Sequence, residues 1–171
     1  MLWFTPTYHD SQSLRPGQSV QNPVNLKNYT STVPVEKTLA RIEQKLAEAG
    51  AASVSKEYSA DAKPVALHFK IEVAGGKYLT IRLPADANAV YEALKSEVVK
   101  PHNGTLARIK EQAGRTAWKL MQDWVEVQVS LIRMQKSDPR EVFLPYIWNG
   151  RETFFQQLKG NNFKDLPERT E

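Results

Sequence analysis

The sequence predicts an α+β fold: a small three-stranded antiparallel sheet covered on one face by helices, with one long central helix of about thirty residues. Three observations carry this expectation. A helix-period apolar pattern runs without a break over residues 104–134. Strict apolar/polar alternation marks two neighbouring strands within residues 65–83. The order of patterns, helix then strands then helices, segregates the two kinds of element, as α+β folds do.

Taken in order, residues 1–28 are expected to be a flexible N-terminal arm. They are rich in Ser, Gln, Asn, Thr and Pro and lack either periodicity, although Leu2, Trp3, Phe4 and Tyr8 cluster near the start. Residues 29–160 are expected to form a single α+β domain, and residues 161–171 a frayed tail. Pro34 suits the first turn of a helix, with Ser31 or Thr32 as caps. Val35, Leu39, Ile42 and Leu46 then fall on one side, and Gly50 supplies the stop.

Three strands follow. The first, Ser53–Tyr58, is weakly patterned. The second points Val65, Leu67, Phe69, Ile71 and Val73 inward, and the third Leu79, Ile81 and Leu83. Keeping the faces matched favours pairing Val73 with Leu79, Ile71 with Ile81 and Phe69 with Leu83. That register predicts an odd-numbered loop at residues 75–77 with a bulge glycine.

Asp86 is the expected cap of a helix carrying Ala89, Val90, Ala93, Leu94 and Val98, which ends before Pro101. The long helix begins near Thr105, with Gly114 as a weak point or close packing contact. Its first apolar stripe is Leu106, Ile109, Ala113, Ala117, Leu120, Trp124, Val127, Leu131 and Met134. A second stripe comprises Trp118, Met121, Val125, Val129 and Ile132. A helix apolar on two sides must bury both, one against its sheet and one against something else. The expected interface is therefore Trp118, Met121, Val125, Val129 and Ile132 with Tyr146 and Trp148, facing a host protein or a second copy in a homodimer. Beyond Ser137 and Pro139, a helical turn over 141–148 interrupted by Pro145, an Asn149-Gly150 turn and a last helix over 151–158 complete the body.

Composition narrows the chemistry. The chain has no cysteine, which excludes disulfides, cysteine nucleophiles and thiolate metal sites. His9, His68 and His102 have no partner at metal-ligand spacing, and no nucleophile elbow or glycine-rich phosphate loop occurs. No catalytic residue, metal or cofactor is expected, so the chain reads as a non-enzyme. Glu57, Asp61 and Glu72 approach one another near the sheet and are better read as a solvated edge than as an acid–base pair.

The formal charge of +4 is mildly basic. The open sheet face should present His68, Lys70, Tyr78, Thr80 and Arg82, a basic and aromatic set suited to single-stranded nucleic acid. Arg108, Lys110, Arg115 and Lys119 gather positive charge on the long helix. Nucleic acid is thus a possible partner alongside protein. No apolar run reaches the length of a membrane span, and the first ten residues lack the pattern of a secretory signal, so no membrane association and a cytoplasmic location are expected.

The chain resembles a family of small uncharacterised proteins encoded by bacteriophages and prophages. The residues carrying the resemblance are NYTSTVPVEKTLARIEQKLAEAGA at 28–51, PVALHFKI at 64–71, the RLPA-to-VYEALK segment at 82–95, RTAWKLMQDWVEVQVSLI at 115–132 and EVFLPYIW at 141–148. The resemblance implies a gene of mobile elements acting in a bacterial cytoplasm. It implies no activity. Residues and resemblance together point to a non-catalytic binding protein, an inhibitor of host defence or an accessory factor in phage DNA metabolism, working through its aromatic helices or its open sheet face. The alternatives are a nucleic-acid-binding protein and, third, an enzyme whose site is assembled from distant residues.

Overall fold

The computed structural model describes residues 25–100, 102–135 and 137–167. Helix α1 (Val35–Glu48) leads into strands β1 (Ser53–Tyr58), β2 (Pro64–Val73) and β3 (Lys77–Pro84). Helices α2 (Ala87–Ser96), α3 (Asn103–Arg133), α4 (Pro139–Phe143) and α5 (Phe154–Gly160) follow. The strands form an antiparallel meander in the order β1-β2-β3. This is the α+β arrangement that the patterning predicts.

Alternation in β2 and β3 sends Leu67, Phe69, Ile71, Ile81 and Leu83 to one face, where all are buried. Leu39, Ile42 and Leu46 of α1, Trp118, Val125 and Val129 of α3, and Phe143 of α4 close over them. Fully burying side chains of this size contributes about 1.5–3 kcal/mol each. Aromatic edges interlock within this layer: Phe69 meets Phe143 at 5.0 Å, and Trp124 meets Phe143 at 5.8 Å and Tyr146 at 5.5 Å.

Local signals set the element ends. Pro34 is the residue before α1, with an extended ψ of 144°, rather than part of its first turn. No side chain caps that helix; Ser31 Oγ instead accepts from the Val33 N–H at 3.4 Å. Asp86 caps α2 as expected, accepting from the Ala89 N–H. The cap of α3 is His102, whose Nδ1 accepts from the Thr105 N–H at 3.3 Å.

The β2–β3 register differs by two residues from the expected one. Ile71 faces Leu79, Phe69 faces Ile81, Leu67 faces Leu83, and Val73 faces Lys77. Gly75 and Gly76 both take positive φ, 80° and 70°, so residues 74–76 close the hairpin tightly and Lys77 already pairs. A two-residue shift preserves which side chains face the core, so alternation alone cannot detect it.

Helix α3 continues through Gly114 for 31 residues. The two stripes on it are covered differently from the sequence expectation. Trp118, Val125 and Val129 are 1 %, 0 % and 2 % exposed, and Met121 and Ile132 pack against the same core. The stripe expected to meet a partner is therefore the inner face of the helix, on which Met121 and Ile132 keep partial exposure. On the other stripe, Ala113 and Ala117 lie beneath Val90 of α2, with Leu26, Tyr91 and Leu94 around them. Small residues there let α2 approach closely. The second cover that α3 needs thus comes largely from its own chain.

Residues 26–31 also belong to that cover. Gln112 Nε2 donates to the carbonyls of Tyr29 at 2.7 Å and Ser31 at 3.0 Å, and Thr116 Oγ1 donates to the Asn28 carbonyl at 3.2 Å. Residues 26–28 are thus docked rather than part of a free arm; the expectation for residues 1–24 lies outside the described residues. In the C-terminal tail, residues 161–167 are exposed, and Phe163 tilts onto Phe155 at 5.9 Å. Residues 168–171 lie outside the described part.

Two substitutions test this packing. A Cβ at Gly114 would meet nothing within 4 Å. Gly114→Ala should therefore raise unfolding free energy by about 0.5–1 kcal/mol in denaturant titration. Val125→Ala should lower it by about 2 kcal/mol, with no change in oligomeric mass by light scattering, because that side chain packs within its own chain.

Candidate functional site

The outer face of the sheet carries polar rows. Ser55, His68 and Arg82 stand in register across the three strands, Ser53, Lys70 and Thr80 form the next row, and Glu72 faces Tyr78. The β1–β2 register shifts between Glu57 and Tyr58. A bulge of this kind bends its strand and re-aims side chains. Glu57, opposite Ala66, reaches diagonally into the His68–Arg82 row.

That carboxylate holds the site together. Arg82 donates to it twice, Nε to Oε2 at 2.8 Å and Nη2 to Oε1 at 2.9 Å. His68 Nε2 sits 2.7 Å from the same Oε2 and serves as donor, because the carboxylate is ionised. The paired Arg82, and secondarily His68, hold the Glu57 carboxyl at a pKa of about 2, against an ordinary value of 4.5. The same carboxylate raises the pKa of Arg82.

Trp148 completes the cluster. The dipeptide Ile147-Trp148 is extended, not helical: Ile147 bridges to Ile81, and the Trp148 N–H donates to the Thr80 carbonyl at 2.7 Å. This lays the indole on the outer face, 5.3 Å from the Arg82 guanidinium and edge-on to His68 at 5.9 Å. The following turn is fixed by Asn149 Oδ1, which accepts from the Arg151 and Glu152 N–H groups, each at 2.9 Å. A capping box between Thr153 and Gln156 then starts α5.

The residues expected at a binding surface separate into two groups. His68, Lys70, Tyr78 and Arg82 share the outer sheet face; Tyr78 is 52 % exposed, and Lys70 is exposed without an acidic partner among the described residues. Arg108, Arg115 and Lys119 lie on α3, behind the sheet, and are not continuous with that face. Arg115 is engaged by Glu111 and Gln112, and Lys119 by Asp123 at 3.4 Å and Gln122 at 3.1 Å. Arg108 is exposed. Of the expected interface residues, Tyr146 packs on Trp124 within the chain and Trp148 belongs to the outer face.

Sequence reasoning did not place Glu57 in this cluster. The three carboxylates it grouped near the sheet do not meet: Glu57 pairs with Arg82, Asp61 lies beside Lys63 and Lys110, and Glu72 stands opposite Tyr78. Ser55 stands opposite His68 in register, but no hydrogen bond joins them. Among the described residues no group of three or more His, Cys, Asp or Glu side chains is placed to hold a metal, and no helix is long and apolar enough to cross a membrane. What the arrangement supplies is a stiff planar group, a guanidinium fixed by its carboxylate and covered by an indole, with an exposed phenol two rows further along the same face.

Compared with known proteins, the chain matches no family model, no curated protein and no solved structure.

The Glu57 ion pair has a pH signature. Its folded pKa lies below the unfolded one, so its stabilisation is fully present above 4.5 and is lost as the pH falls towards about 2. Glu57→Gln should lower the melting temperature above that window. The gap from the unchanged protein should narrow steadily through it, as followed by circular dichroism.

Proposed function

We propose that this chain is a non-catalytic binding protein whose outer sheet face, built on Arg82, His68, Trp148 and Tyr78, engages a macromolecular partner. The observation that carries the reading is the immobilised Arg82–Glu57–Trp148 stack on the side of the sheet away from the core. Trp, Tyr and Arg are the residues most enriched where binding energy concentrates. Side chains already locked in place lose little conformational freedom on association. In this reading the resemblance to phage and prophage proteins supplies the setting, a bacterial cytoplasm, and the partner is a host protein or a second copy of the chain. An inhibitor of host defence and an accessory factor in phage DNA metabolism both fit that description.

A nucleic-acid partner is the second reading, and Lys70 next to exposed Tyr78 favours it. The pairing of Arg82, Arg115 and Lys119 with carboxylates weighs against it, since a phosphate would have to displace each acid.

Tyr78→Ala separates these readings from a purely structural role. Tyr78 is half exposed, so its loss should leave the melting temperature unchanged within the usual range for surface substitutions. It should weaken by tenfold or more the association with whichever defined partner is recovered from infected cells, as measured by calorimetry. A single-stranded oligonucleotide whose affinity falls steeply with salt would identify nucleic acid as that partner. Unchanged association of Tyr78→Ala with its partner would remove the outer face from consideration.

A further inference from the structure

One edge of the sheet is closed by the chain itself. Ile147 bridges to Ile81 of β3, and the Trp148 N–H takes the Thr80 carbonyl at 2.7 Å. The other edge is β1. Helix α1 meets β1 from the core side, where Lys56 Nζ pairs with Glu43 at 2.6 Å. Among the described residues, nothing outside the sheet bonds to the backbone of Val54 or Lys56.

Alternation fixes which groups that edge presents. The Ala85 N–H donates to the Val65 carbonyl at 3.0 Å, so the odd-numbered residues of β2 bond to β3. The even-numbered ones, Ala66, His68 and Lys70, then bond to Glu57, Ser55 and Ser53. The N–H and C=O groups of Val54 and Lys56 are left pointing away from the sheet. Such a row is a template for a further strand. Its straight part is short. The register slips between Glu57 and Tyr58, and at the other end the Ala52 N–H already turns to the carbonyl of Lys70, the residue opposite Ser53. Residues 53–57 remain, and Ser55 is their centre.

We propose that β1 pairs antiparallel with β1 of a second copy of this chain, about a two-fold axis at Ser55, joining two sheets into one of six strands. This uses the edge of the sheet rather than its outer face, and so stands whether or not that face binds a partner. Symmetry and charge select the register. With the axis at Ser55, Val54 exchanges both backbone bonds with the partner's Lys56, and Lys56 with the partner's Val54, so every idle group finds a mate. Glu57 then meets the partner's Ser53, and no two like charges face each other. An axis at Lys56 or at Glu57 would set that residue against its own copy, like charge on like charge. An axis at Val54 would run the pairing into the irregular end at Ala52. The dimer keeps no open edge, because each β3 is closed by Ile147 and Trp148, and assembly stops at two. The two Arg82–Trp148 clusters come to lie on one side of the joined sheet, their β3 strands about 24 Å apart. An interface of so few residues belongs to the weak class, with a dissociation constant on the order of 100 µM.

Because the chain has no cysteine, single ones can be introduced as reporters. In the full chain, Ser55→Cys brings two thiols together across the axis. Cα atoms of such a non-hydrogen-bonded pair lie about 4.5 Å apart, within the span of a disulfide. Ser53→Cys does not, because its counterpart lies about 13 Å away along the paired strand. Under mild oxidation Ser55→Cys should form a disulfide-linked dimer at least tenfold faster than Ser53→Cys. By light scattering, the unchanged chain should rise from 19.4 kDa towards twice that mass as its concentration approaches about 1 mM. Val54→Pro removes an N–H that β2 does not use, and should hold the mass at 19.4 kDa. Equal cross-linking at positions 53 and 55, a mass fixed at one copy, or a mass that climbs past two overturns the inference. So does a Val54→Pro chain that folds and still associates; if that variant fails to fold by circular dichroism, the two cysteine variants decide.

Discussion

Trp118 fills the space between α3 and the sheet, almost wholly buried, and its indole N–H donates to the Pro64 carbonyl at the start of β2. That contact, continued along the helix by Val125 and Val129, fixes the long helix to the strands. The other elements are placed by it. α1 packs against the same side of the sheet, and Phe143 of α4 wedges between Phe69 and Trp124. α2 sits on Ala113 and Ala117, on a different side of the same rod. Because interiors tolerate few voids, a helix used on two sides transmits the position of each layer to the other.

The same constraint positions the outer face. The 3-10 turn Leu144–Tyr146 ends against Trp124, so Ile147 and Trp148 arrive alongside β3 and pair with it. The indole then lies over Arg82, whose planar fork is already occupied by Glu57. The ion pair is partly exposed, so its contribution to stability is screened by solvent. Its larger consequence is geometric: two long side chains and a ring are held in one arrangement on a surface where they need not be. Several surface cations elsewhere, Arg115, Lys119 and Arg133 among them, also sit beside acids.

The parts legible in the sequence were those set by periodicity. The alternation of Leu67, Phe69 and Ile71, the spacing of Leu39, Ile42 and Leu46, and the unbroken apolar rows of α3 each translate directly into an element and its buried side. Which of the two α3 rows faces the sheet was not legible, because both are apolar and periodicity carries no information about distance. The two-residue hairpin shift escaped for the same reason: it leaves every face unchanged. Glu57 was missed because the weak pattern of β1 leaves its register against β2, and so its diagonal approach to His68 and Arg82, unspecified. Trp148 did leave a signal. A short apolar pair between Pro145 and Asn149-Gly150 reads more naturally as an extended segment than as a helical turn. His68 and Arg82 were placed on one face correctly, but their mutual carboxylate, and hence their neutralised charge, needed three dimensions.

Helix α3 is one continuous rod held by burial on two sides within its own chain. Native-state hydrogen exchange measures this directly, amide by amide. Amides from Ala113 through Val129 should exchange together, through the same cooperative opening as Leu67, Phe69 and Ile81. A break in protection at Gly114, or a helix that exchanges well before the strands, would contradict it.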